Sequence, residues 1–342
     1  MKESIYSHKG SFILESGEKL EHLSITYTTY GIMNADQSNV VWICHALTAN
    51  AIPSEWWPGL VGKGKFYDPS TYFIVCANIL SSCYGTTGPA SINKEEERPY
   101  FWEFPQVTIR DMVAAHEALR IHLNIENIHT LIGGSLGGMQ AVEWGILCPE
   151  RFTNLIVLAT NARHSAWGIA FNESQRLAIK ADPTWNEQHP NAGAAGLKAA
   201  RAIALLSYRG YEAYEKSQVE NDLNKIDHYK ASSYQNYQGE KLVNRFNSHS
   251  YWHLSKAMDS HNVGRGRGSV ESALKEISCR TLVIGVSSDV LFPVSEQKYL
   301  AQHIPNANYQ EIDSFYGHDG FLIETEQIEV LVSQFYLSNN TL

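Results

Sequence analysis

Nowhere does the 342-residue sequence hold an unbroken apolar run approaching the roughly 20 residues needed to cross a bilayer, so no spanning helix is expected. The opening Met1-Lys2-Glu3-Ser4 is polar and leads into no apolar stretch, which argues against a secretory leader and for a cytoplasmic protein. Cysteine is scarce. The five cysteines are odd in number and scattered, and none groups with histidine at zinc-ligand spacing. Several sit inside apolar runs, where cysteine behaves as a small buried hydrophobe, so reduced thiols are expected. Positive charge is in deficit, 27 Lys and Arg against 36 Asp and Glu, for a formal net charge of -9. That balance argues against nucleic acid or an anionic membrane as a partner. Internal repeats and low-complexity tracts are missing too, and nothing implies a metal or a bound cofactor.

What the chain does have is core-forming material. It is 44% hydrophobic and 18% charged, which suits one large α/β domain carrying an insertion, or two domains. Residues 12–30, rich in Ile, Thr and Tyr with Gly17 at a turn, read as an antiparallel hairpin. Short apolar runs of buried-strand type follow at 40–44, 73–78, 129–132, 155–159 and 281–286. Helical patterns lie between them, at 108–123 with Ile109, Met112, Val113, Leu119 and Leu123 on about one face, and at 136–147. Strands alternating with helices predict a doubly wound, mostly parallel sheet. The stretch 162–262 breaks that alternation with helical segments at 196–208 and 239–258 and no buried strand. It is expected to be a helical lid inserted into a core made of 1–161 and 263–342.

The run 128–132 is followed by Gly133-Gly134-Ser135-Leu136-Gly137-Gly138 and then a helix, which is G-x-S-x-G in its strand–turn–helix setting. A serine there projects its hydroxyl from a sharp, strained turn, and glycines at Gly133 and Gly137 relieve crowding of the neighbouring backbone. The competing reading, a phosphate-cradling turn, lacks both the G-x-G-x-x-G pattern and a Lys-Ser/Thr ending. A serine needs a base, and the base an orienting acid, in the chain order Ser, acid, His. Asp289, just past the apolar run 281–286, fits the acid, with Asp313 the alternative. His318, in Tyr316-Gly317-His318-Asp319-Gly320, fits the base; His303 competes by position but lies in a helical stretch. An oxyanion hole needs two backbone N–H donors, and those of Leu136 and Leu47, the latter in the loop after 40–44, stand in the right places.

Esterases, peptidases and acyltransferases share such a triad. The surrounding residues are more selective: His45-Ala46-Leu47-Thr48, Cys83-Tyr84-Gly85-Thr86-Thr87-Gly88-Pro89, Phe104 through Met112, and Gly133 through Gln140. Phe171-Asn172-Glu173, Tyr237 through Lys241, Ala257 through His261 and Gly264-Arg265-Gly266-Arg267-Gly268 continue the pattern. Together they resemble the homoserine O-acetyltransferase family over nearly the whole chain, the insertion included. The resemblance implies an α/β-hydrolase fold and transfer of an acetyl group from acetyl-CoA, a co-substrate, to the hydroxyl of L-homoserine, a step toward methionine. It implies Ser135 as acyl carrier, His318 as general base then acid, and Asp289 as orienting acid. It further implies Arg201 and Tyr208 for the substrate carboxylate and Asp319 for its amine, and a homodimer joined through the lids. A zwitterionic substrate needs such a cation and anion near the nucleophile.

Two departures from the family pattern stand out. Leu136 replaces a frequent Met, and Ser81-Ser82 replaces small glycines. The rival functions are a succinyl donor or an L-serine acceptor, a plain hydrolase that discharges its acyl-enzyme to water, and a non-catalytic binding protein.

Overall fold

A computed structural model describes residues 1–338. Eight strands form the central sheet: β1 (Lys2–Ser7), β2 (Ser24–Tyr30), β3 (Val40–Cys44), β4 (Phe73–Ala77), β5 (Ile128–Gly134), β6 (Phe152–Leu158), β7 (Arg280–Val286) and β8 (Ala307–Ile312). Their spatial order is β1-β2-β4-β3-β5-β6-β7-β8. β2 pairs antiparallel with both neighbours, and every other pairing is parallel. All five residues of β3 are buried, as an inner parallel strand covered on both faces requires. Each such Val or Ile contributes about 1.5–3 kcal/mol of transfer free energy.

Helices cover both faces. α1 (Ile109–His122) starts at a reciprocal cap in which the Thr108 hydroxyl accepts from Asp111 N–H while the Asp111 carboxylate accepts from Thr108 N–H. α2 (Leu136–Leu147) leaves the tip of β5 and is buried on every side from Leu136 to Ile146. Between β6 and β7 come six helices and no strand of the sheet: α3 (Ala166–Lys180), α4 (Ala194–Tyr208), α5 (Tyr211–Gln218), α6 (Lys230–Val243), α7 (Ser248–Asp259) and a short one at Val270–Leu274. An antiparallel bridge between Arg163 and Asn262 closes the base of this excursion. α8 (Val294–His303) packs into the same core as α1 and α2 on one face, and α9 (Thr325–Leu337) covers the other.

Three sequence expectations are corrected. The hairpin expected over 12–30 is split: Phe12–Ile13 pairs with Lys19–Leu20 in a separate small hairpin, while β2 pairs with β1, which was not foreseen. β1 is an edge strand of mostly exposed side chains, so it carries no apolar run to betray it. The single helix expected over 239–258 is two helices. Asn247 breaks it by accepting the Ser250 N–H at 2.7 Å as the N-cap of α7. The strand at β5 begins at Ile128 and runs two residues past 132, into the glycines of the turn.

Candidate active site

Ser135 sits between β5 and α2 with φ 56° and ψ -125°, a left-handed conformation uncommon for a residue with a side chain. Its N–H donates to Leu158 O at 2.9 Å, so the adjacent strand β6 holds the turn in place. Close packing leaves no choice at Gly137, where a Cβ would fall 2.1 Å from the carbonyl oxygen of Cys44 at the end of β3. The N-terminus of α2 therefore lies directly against the loop carrying Leu47.

β7 delivers Asp289. Its Oδ1 accepts the N–H groups of Leu291 at 2.8 Å and Phe292 at 2.9 Å, which fixes the carboxylate plane. Oδ2 lies 2.6 Å from His318 Nδ1, and His318 Nε2 lies 2.9 Å from Ser135 Oγ. An ionised carboxylate accepts only, so Nδ1 carries the proton and Nε2 is left to accept from the serine hydroxyl. All three residues are buried. Phe292 stacks on the imidazole at 5.1 Å, and Gly317 N–H donates to Ser288 Oγ at 3.0 Å, holding the histidine turn. The two competing residues are engaged elsewhere. His303 Nδ1 meets Tyr299 O of its own helix at 2.9 Å, and Asp313 accepts from Ser287 Oγ at 2.9 Å.

The loop with Leu47 is built by two neutral histidines. His45 Nδ1 donates to Ala46 O at 2.8 Å and its Nε2 accepts Ile79 N–H at 3.1 Å, so one ring ties the loop to the end of β4. Gln140 on α2 reaches His45 O at 3.3 Å and meets His116 Nε2 at 2.9 Å. Burial pulls both histidines down to about 4, so neither carries charge near neutrality. Among the described residues neither the Leu47 N–H nor the Leu136 N–H donates to a protein acceptor, and Leu47 lines the same cavity as Ser135. Two free amides beside a serine hydroxyl are what a developing oxyanion requires.

The cavity in front of Ser135 has a volume of about 580 Å³, and Arg201, Tyr208, Asp319 and His318 all line it. Arg201 and Tyr208 lie on α4, with the guanidinium 5.3 Å from the phenol ring centroid. Burial holds the Tyr208 phenol above its ordinary value, with Arg201 opposing, so it is a neutral donor. Asp319 is ion-paired with Arg209 at 2.9 Å, a partner that sequence reasoning missed. Lys241 and Arg245 also line the wall, and Arg245 donates to the carbonyl and hydroxyl of Thr48 and to Tyr84 OH. Arg265 and Arg267, in the Gly-Arg repeat, do not line this cavity; they pair with Glu15 and Glu143. A second cavity of like volume, walled by Asn161, Arg163, Glu271 and Glu296 among others, holds none of the triad.

Residues 39–325 match the family model described as alpha/beta hydrolase fold. The homoserine O-acetyltransferase of Cyclobacterium marinum is 51% identical over 340 residues, covering 99% of this chain and 97% of that protein. The crystal structure of homoserine O-acetyltransferase from Bacillus anthracis superposes with a TM-score of 0.90 at 26% identity, covering 98% of this chain and 97% of that one. An acetylester hydrolase from Corynebacterium glutamicum shares the fold, with a TM-score of 0.87 at 22% identity over 98% of this chain and 96% of that one. With an eight-stranded sheet of this order, a serine at its strained turn and half its sequence shared with an enzyme of that name, the chain belongs to the homoserine O-acetyltransferase family of α/β-hydrolase-fold acyltransferases.

Proposed function

We propose that the protein acetylates the side-chain hydroxyl of L-homoserine, a step toward methionine, with acetyl-CoA as donor and Ser135 as the acyl carrier. His318 Nε2 takes the Ser135 proton as Oγ attacks the thioester carbon. The amides of Leu47 and Leu136 receive the negative charge of the tetrahedral intermediate. As the C–S bond breaks, His318 returns the proton to the departing thiolate, and coenzyme A leaves. The homoserine hydroxyl then gives its proton to His318 and attacks the acyl-enzyme, and as the bond to Oγ breaks His318 returns that proton to Ser135, releasing O-acetyl-L-homoserine. Asp289 keeps the imidazole in the tautomer this needs and balances the imidazolium in each half.

One observation carries the reading: the hydrogen-bonded chain from Asp289 through His318 to Ser135 opens into a cavity that also presents Arg201 and Asp319. A hydrolase acting on simple esters has no use for a cation and an anion flanking its nucleophile, whereas an α-amino acid needs both. Arg201 and Tyr208 would hold the carboxylate and Asp319 the ammonium. Lys241 and Arg245 add positive charge to the wall through which a polyphosphorylated donor enters. The helices between β6 and β7 would act as a lid that keeps water from the acyl-enzyme.

The test is release of free thiol from acetyl-CoA, followed with and without L-homoserine, for the wild type and Ser135→Ala. Release that depends on homoserine and disappears in the variant is expected. Release at the same rate without an acceptor would make the protein a hydrolase. Activity only with succinyl-CoA, or only with L-serine, would replace the donor or the acceptor.

A further inference from the structure

Arg209 directly follows α4, the helix that brings Arg201 and Tyr208 to the cavity, and it points across to the histidine turn. Its Nε donates to Asp319 Oδ2 at 2.9 Å, joining residues 110 positions apart. The guanidinium also sits 5.6 Å from the ring centroid of Tyr316, two residues before His318. Below this pair the two backbones touch. Gly317 has φ 68°, and a Cβ there would lie 2.8 Å from Gly210 N and 3.1 Å from Tyr208 O. The end of α4 and the turn bearing His318 and Asp319 are thus one docked unit, pinned by an ion pair above and a close backbone approach below.

That pairing decides what Asp319 presents to the cavity. A carboxylate beside His318 with no partner would rotate and draw the imidazolium toward itself, in competition with Asp289. Arg209 occupies Oδ2, while Oδ1 has no protein partner among the described residues. We infer that Arg209 is a positioning residue: it fixes the Asp319 carboxylate so that Oδ1 faces the substrate ammonium, and so sets selection for an acceptor bearing an amine. This rests on the reading that the acceptor is an amino acid whose ammonium meets Asp319. The ion pair is only partly exposed and its Nε–H···O contact fixes an orientation, which a mobile surface pair does not.

The experiment compares L-homoserine with 4-hydroxybutyrate, the same alcohol and carboxylate without the amine, in the wild type, Arg209→Ala, Arg209→Lys and Asp319→Asn. Arg209→Ala is expected to raise KM for L-homoserine at least tenfold, with kcat changed less than threefold. The preference for homoserine over 4-hydroxybutyrate should fall by a similar factor. Arg209→Lys should recover part of it, and adding Arg209→Ala to Asp319→Asn should cost little more than Asp319→Asn alone. A preference retained within twofold in Arg209→Ala, or a loss of kcat with the preference intact, overturns the inference. If Asp319→Asn itself leaves the preference unchanged, the amine reading of Asp319 fails, and the assignment of Arg209 goes with it. Should Arg209→Ala not fold, Arg209→Gln and the lysine variant give the same ratio.

Discussion

Thr160 Oγ1 donates a hydrogen bond of 2.9 Å to the carbonyl oxygen of Ser135, from one strand past its end to the turn beside it. The strained serine is therefore held through its own carbonyl as well as through its N–H, and Gln297 on α8 fixes Thr160 in turn by donating to its carbonyl at 2.7 Å. Thr160→Val keeps the shape and removes the bond. Since Met139 N–H still satisfies the Ser135 carbonyl, the loss should be about 1 kcal/mol of stability. Turnover should fall about three- to tenfold as the hydroxyl wanders. Thermal melts beside kcat would show both, and full kcat in a destabilised variant would reduce Thr160 to a structural role.

Asp289→Asn should leave the fold intact and lower kcat by about 10⁴. An amide accepts the Leu291 and Phe292 N–H groups as well as a carboxylate does, but turns an NH₂ toward His318 Nδ1 and favours the wrong tautomer. Combining it with Ser135→Ala should cost no more than Ser135→Ala alone, because the groups act as a unit. Additive losses in the double variant would contradict a shared mechanism.

Glu296, on the wall of the second cavity, is pushed up to about 7 by burial, with Asp289 adding to the shift and the bond from Asn161 opposing it. A carboxyl raised above its ordinary value of 4.5 stabilises the fold while protonated. Its contribution is complete below that value and is lost as pH rises through about 7. Gln imitates the protonated form, so Glu296→Gln should match the wild type near pH 4 and exceed it at pH 8 by about 1–2 kcal/mol, allowing for partial exposure. Denaturant midpoints at the two pH values measure the difference. A variant that is equally stable at both, relative to wild type, would mean that folding leaves Glu296 at its ordinary value.

The hydrogen-bonded trio of Ser135, His318 and Asp289 was legible because each member is announced locally. The turn demands glycines around Ser135, and the other two follow in fixed order past late strands. The positioning contacts are announced by nothing local. Arg245 meets Thr48 across 197 residues, Gln140 meets His45 across 95, and Arg209 meets Asp319 across 110. Each is a polar pair between elements, the first and third made by the packing of the helices between β6 and β7 onto the sheet and the second by α2 against the loop after β3, and no periodicity in one element reports on the other. β1 escaped for the opposite reason, since an exposed edge strand needs only backbone pairing and leaves no apolar signature.

Ser81 offers a test of a departure from the family's glycines. It holds φ 79°, and its N–H donates to Thr87 O at 2.9 Å, so the loop keeps this conformation whatever residue occupies the position. A side chain in left-handed backbone costs about 1–2 kcal/mol. The Ser81 hydroxyl is also buried without a protein partner, a further cost of about 1 kcal/mol or more unless water reaches it. Against this, glycine loosens the unfolded chain by about 0.4–1 kcal/mol. The balance favours Ser81→Gly by about 1 kcal/mol, or about 2 °C in a chain of this size. Ser81 does not line the cavity of Ser135, so KM and kcat should stay within twofold. A melting temperature that falls instead would mean that the hydroxyl holds a bound water worth more than the backbone strain. The serine would then be an adaptation of this loop rather than a tolerated substitution.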